Sequence, residues 1–136
     1  MILCLSSPGR VTITSVEPVN PRGGLTVQAF AVRPNPSLAT PPGGMVGDDR
    51  AKLWRDGFDE SHHVVTTPCG DPDSGEGVEL AVQATRPGKE GPASDAWRIS
   101  WRSATSSGSL DFPLAVELCG EKSAAAPACE RLSPLR

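Results

Sequence analysis

Proline and glycine interrupt this chain too often for a long helix to form. Each occurs 14 times in 136 residues. Proline removes a backbone donor and clashes with the preceding helical turn, and glycine costs about 1 kcal/mol against alanine in a helix interior. The breakers also come as turn punctuation: Pro8-Gly9, Pro21-Arg22-Gly23-Gly24, Pro41-Pro42-Gly43-Gly44, Pro87-Gly88 and Ser107-Gly108. Short apolar runs lie between them. That rhythm predicts an all-β chain.

Period-two hydrophobicity locates the strands. Over Arg10–Val19, Val11 and Ile13 alternate with Thr12 and Thr14, and Pro18 and Pro21 end the run. Asn20–Gly24 reads as a turn into Leu25–Arg33. There Leu25, Val27, Ala29 and Ala31 share one face, and Phe30 and Val32 the other. These two runs are expected to pair as a hairpin. Short strands are expected at Ala51–Arg55 and His63–Cys69, the latter with Val65 and Cys69 on one face. Val78–Thr85 alternates cleanly, as do Trp97, Ile99 and Trp101 with their polar neighbours. The strongest alternation runs through Leu110, Phe112, Leu114, Val116 and Leu118 to Cys119, with Pro113 marking an edge or a bulge. Pro34–Asp49 and Gly70–Gly77 read as loops. Roughly six to eight short strands without an internal repeat match an immunoglobulin-like β-sandwich of about seven strands, with a barrel as the alternative. One domain is expected over residues 10–120. A short apolar stub and linker precede it at 1–9, and a flexible Ala/Pro-rich tail follows at 121–136.

The cysteines are Cys4, Cys69, Cys119 and Cys129, and no Cys-x-x-Cys pair stands among them. That spacing argues against a zinc ribbon or a thioredoxin-type motif. Cys69–Cys119 is the expected bridge, because both lie near strand ends. Cys129 then pairs with Cys4 or stays free. Disulfides place a chain outside the cytoplasm, secreted or membrane-anchored, whereas four reduced thiols would suit the cytosol. Met1–Leu5 is apolar but too short for a signal core or a membrane span. A membrane tether is therefore expected upstream of residue 1, and Cys4 also reads as a remnant of such a segment or as a lipid-attachment cysteine.

A net charge of −3 argues against nucleic-acid binding and against a polybasic membrane patch. His62 and His63 are the only two histidines. One of them with Asp59 suits Cu or Zn, although neighbouring strand residues point to opposite faces. Asp71 and Asp73, with Glu76 and Glu79, resemble a fragment of a Ca²⁺ loop. Gly75 and Glu76 depart from that pattern. The alternative in both places is a solvated turn. No Gly-x-Ser-x-Gly elbow is present, nor a phosphate-cradling glycine loop before a helix, so neither catalysis nor a cofactor is expected. Trp97 and Trp101, beside Arg98 and Arg102, form a partner-binding stripe if exposed. The competing reading, favoured for at least one of them, packs tryptophan on the disulfide in the core.

The runs Val11–Val19, Gly24–Val27 and Ala29–Pro34, and the closing stretch from Trp97–Trp101 through Leu110 to Val116–Gly120, resemble small extracytoplasmic domains of uncharacterised actinobacterial membrane-anchored or exported proteins. Arginine in excess of lysine, abundant Ala, Pro and Gly, and no Tyr fit a GC-rich genome. The resemblance implies a fold and a location, and carries over no site residue. The function expected is a non-enzymatic accessory or binding module. It is expected to be a monomer that meets an unidentified protein or cell-envelope partner and no nucleic acid. The alternative is an exported metal-binding domain for Cu, Zn or Ca.

Overall fold

A computed structural model describes residues 1–34, 53–70, 77–85 and 93–117. Strands dominate them: β1 (Ile2–Leu3), β2 (Val11–Val19), β3 (Thr26–Pro34), β4 (Val64–Val65), β5 (Val78–Thr85), β6 (Ala93–Ser94), β7 (Ala96–Arg102), β8 (Ser107–Phe112) and β9 (Val116–Glu117). They form two main antiparallel sheets, ordered β1-β5-β3 and β4-β2-β7-β8, and a small ribbon of β6 with β9.

The two sheets share one core. Ile13, Val16, Val65, Trp97 and Ile99 come from the four-stranded sheet. They meet Val32, Val78 and Leu80 of the other sheet, with Leu25 from the turn before β3. Hiding each large aliphatic side chain from water contributes about 1.5–3 kcal/mol. A smaller cluster lies on the far face of the three-stranded sheet, where Leu53 and Phe58 pack on Ala29, Ala31 and Ala81. Arg33 covers it, with its guanidinium 4.1 Å from the Phe58 ring centroid and Nε 2.8 Å from Glu79.

Two bulges decide which side chains reach the shared core. Strict alternation would put Ile13 and Val16 on opposite faces of β2. A register shift between Ile13 and Ser15 brings both inward. In β3 the shift falls between Val27 and Ala29. Val27 before it, and Phe30 and Val32 after it, all pack on the shared core, while Ala29 and Ala31 turn to the smaller cluster. The single face expected for Leu25, Val27, Ala29 and Ala31 is thus split, because one extra residue flips everything after it.

Other expectations are corrected as well. β2 and β3 are not a hairpin: β2 pairs β4 and β7, and β3 pairs β5 in the other sheet. The Asn20–Gly24 turn carries the chain across instead. Arg22 anchors it, exchanging backbone bonds with Ala93 and pairing with Asp95 at 2.8 Å. Each sheet must have its apolar face covered, and the second long strand does this for the first. Leu53–Asp56 is a turn of 3-10 helix rather than a strand. The Phe58 amide bonds the Leu53 carbonyl at 3.0 Å, so both apolar side chains face the sheet. The strand expected over His63–Cys69 is confined to β4, with one further bridge at Pro68. The run from Leu110 breaks at Pro113, where the Leu114 amide donates to the Phe112 carbonyl at 2.8 Å. Proline's fixed φ suits that three-residue turn. β9 then leaves β8 to pair with β6.

Residues 1–5 are not a stub outside the domain. Ile2 and Leu3 pair with Glu79 and Val78, and Leu5 bridges Pro68. Gly77 permits this approach, since a Cβ there would lie 2.8 Å from the Leu3 carbonyl oxygen. The same contact sets the disulfide. Cys69 is bonded to Cys4, not to Cys119, and Cys4 is therefore neither paired with Cys129 nor free for lipid attachment. The Cys69 amide donates to the Leu5 carbonyl at 2.8 Å, and the two Cα atoms lie 4.9 Å apart, well inside bridging range. Cys119, Cys129 and residues 121–136 lie outside the described residues. The bridge closes a separation of 65 residues. In the chain-entropy model that constraint is worth about 4 kcal/mol. The Cys4→Ala/Cys69→Ala variant is expected to lose about that much in urea unfolding. A variant as stable as the parent would show that the clasp adds nothing to the pairing it fastens.

Candidate functional site

β2 and β3 belong to different sheets, and the flank between them stays open as a groove of about 720 Å³. Ser15–Pro18 form one wall and Leu25–Phe30 the other, with Pro21, Glu60 and His63 completing the lining. Both register shifts border it. Bulges bend strands and re-aim side chains, which is why they recur beside binding sites. β4 covers β2 only at Val11 and Thr12, so past the bulge this side of β2 has no ladder partner among the described strands. Pro18, which lacks an N–H, is tolerated there. Val16, Leu25, Val27 and Phe30 give the groove an apolar floor continuous with the core, while Ser15, Glu17, Thr26, Gln28 and Glu60 supply polar groups.

His63 closes the corner where the sheets meet. Its backbone carbonyl accepts from the Ile13 amide at 2.8 Å, and the carbonyl of His62 accepts from Val32 at 2.9 Å. The His63 ring stacks on Phe30 with centroids 4.4 Å apart. Its Nε2–H donates to the Phe30 carbonyl at 3.1 Å. The ring is thus a strut between β3 and β4, holding its proton on Nε2. Just before it, Asp59 accepts from the Ser61 hydroxyl at 2.6 Å and the Ser61 amide at 2.9 Å. These bonds hold the Asp59 carboxyl below its ordinary value of 3.8, with smaller help from His62 and His63.

His62 and His63 both line a smaller cleft of about 370 Å³, shared with Arg10, Ser61, Val64 and Thr66. Among the described residues no three His, Cys, Asp or Glu side chains are gathered as ligands. Asp71 and Asp73 lie outside the described residues. Trp97 is 4% exposed and belongs to the core, so it is no contact for a partner. The indole does not pack on a buried disulfide, because Cys4 and Cys69 are both exposed. Trp101 is half-buried and lies across Gly108 of β8, where a Cβ would come within 2.8 Å of its ring. A glycine opposite an indole is filled by the ring rather than by its own side chain.

The sequence placed Glu60 near the histidines but singled out neither Phe30 nor Arg10 as a site residue. For Phe30 the one signal was the pause in alternation around Gln28, which coincides with the second bulge. Compared with known proteins, the chain matches no family model, no curated protein and no solved structure.

Two outcomes test the corner. Replacing His63 with alanine removes an aromatic stack and a hydrogen bond, and is expected to cost about 1–2 kcal/mol in urea unfolding. His63→Phe, which keeps the stack, should lose less; no loss in either would dismiss the strut. A carboxyl held low in the folded state stabilises the fold above the ordinary carboxylate value, and that contribution disappears as pH falls through the lowered one. Ser61→Ala should return the Asp59 titration, followed by NMR, toward 3.8. An unmoved titration would mean the Ser61 hydroxyl bond is not made in solution.

Proposed function

We propose that this chain is a non-enzymatic binding module of an extracytoplasmic protein, folded as an immunoglobulin-like sandwich, whose ligand enters the groove between β2 and β3. The groove carries this reading. Its volume falls within the usual range of ligand pockets, about 300–1,000 Å³, and it pairs an apolar floor with a few polar groups on the walls. The bonds of His63 are structural, which suits recognition better than proton transfer. For the sandwich, support comes from sheets of three and four strands around a buried Trp97. For the location, it comes from a disulfide exposed at both cysteines, which persists in an oxidising compartment. The likeness to actinobacterial exported domains, a tether upstream of residue 1, a monomeric state and a cell-envelope or protein partner belong to the same proposal.

An NMR screen of small apolar and peptide fragments tests the groove. Amide shifts are expected to concentrate in Ser15–Glu17 and Thr26–Phe30, and Gln28→Trp, which fills the groove from its rim, should abolish them. Shifts scattered over both sheets, or untouched by Gln28→Trp, would remove the proposal. Thiol labelling of protein taken directly from its producing cells tests the location, with Cys4 and Cys69 expected to resist label until reduced.

A further inference from the structure

The outer face of the four-stranded sheet carries a surface of different chemistry. Side chains that alternate with Ile13, Val16, Trp97, Ile99 and Trp101 point away from the core. Cross-strand register sorts them into rows. Thr12 stands opposite Arg102, and Arg102 opposite Ser107. The next row is Ser15, Ser100 and Ser109, and the third is Glu17, Arg98 and Asp111. Arg10 stands two residues before Thr12 on β2's lead-in and shares a cleft with His62 and Thr66.

Charge divides this face. Arg98 is held by Asp111 through two bonds of 2.8 and 2.9 Å, and Arg22 and Arg33 have carboxylate partners of their own. Among the described residues Arg10 and Arg102 make no ion pair. They flank Thr12, one diagonal step apart, about 7–8 Å between backbones, which long guanidinium side chains span easily. Two cations with no ion pair among the described residues therefore stand on one face of the sheet on either side of Thr12, a row of serines follows, and the carboxylates of Glu17 and Asp111 end the patch.

We propose that this face binds an acidic glycan, with a sugar carboxylate between Arg10 and Arg102 and the neighbouring sugar hydroxyls on the serine row. Guanidinium forks match a carboxylate through paired hydrogen bonds. A neutral glycan would leave both guanidiniums unused. A nucleic acid, charged at every residue, would meet Glu17, Asp111 and a chain of net charge −3. The surface meets the groove along Ser15 and Glu17, but Arg10 and Arg102 lie outside its lining, so the proposal stands whether or not the groove takes a ligand.

Titration calorimetry with an oligogalacturonate, a neutral maltooligosaccharide and single-stranded DNA tests it on the whole chain. The oligogalacturonate should bind, more weakly as salt rises, and the other two should not. Arg10→Gln and Arg102→Gln should each weaken binding about tenfold, equivalent to 1.4 kcal/mol. Arg22→Gln, in the turn between β2 and β3, should leave it unchanged, and thermal melts will show whether each variant is folded. Equal binding of the neutral sugar or the DNA, or undiminished affinity in both Arg10→Gln and Arg102→Gln, would overturn the assignment. Gln28→Trp should leave this binding intact; its loss there would move the glycan to the groove and sink the proposal for the face.

Discussion

A strand can turn only alternate side chains toward a core, and β2 and β3 each depart from that rule once. Without the shift at Thr14, β2 would offer the core either Ile13 or Val16, but not both. Without the shift at Gln28, β3 would send Val27 inward only at the expense of Phe30 and Val32. Each long strand therefore keeps its full apolar content because it is kinked. Both kinks also border the groove between β2 and β3. The open flank between them is the geometric remainder of a core that could not be closed with straight strands, and an apolar floor with a polar rim follows from where the kinks fall.

Much of this was legible in the chain. The runs Val11–Val19, Val78–Thr85 and the alternation of Trp97, Ile99 and Trp101 coincide with β2, β5 and β7. Alternation is a local property, and these strands have few competing local choices. Partnership is not local. Nothing in Asn20–Gly24 distinguishes a hairpin from a crossover between sheets, since the same turn residues serve both. The bulges were hidden for a similar reason, because neither Thr14 nor Gln28 is a glycine or a proline. The disulfide was misassigned because Met1–Leu5 was set aside as too short to matter. Two paired residues, admitted by Gly77, suffice to place Cys4 beside Cys69. Leu110 shows the limit of alternation from the other side: it has the right parity, yet it is 44% exposed because β8 is an edge.

The candidate site residues divide along the same line. The principle that neighbouring strand residues face opposite ways sets His62 apart from His63; of the two only His63 lines the groove, while both border the smaller cleft. It could not say what His63 would touch, because Phe30 is 33 positions away in sequence and arrives from the other sheet. Trp97 and Trp101 share parity but not depth. Trp97 sits where the sheets overlap, whereas Trp101 lies toward the end of β7, over a glycine that leaves room for its ring.

The segment from Asp59 to Cys69 joins these elements, and it does so with little burial of its own. Val65 is its one fully buried side chain. It is held instead by the Asp59–Ser61 turn, the carbonyls of His62 and His63, the His63 ring, the two-residue ladder of β4 and the bond to Cys4. Hydrogen bonds of this kind contribute only about 0.5–1.5 kcal/mol each, so the covalent tie is the largest single restraint on the segment. Because His63 lines the groove and His62 the neighbouring cleft, the shapes of both depend on a stretch that the core alone does not fix. The Cys4–Cys69 bond therefore bears on the shape of this surface as well as on the stability of the fold.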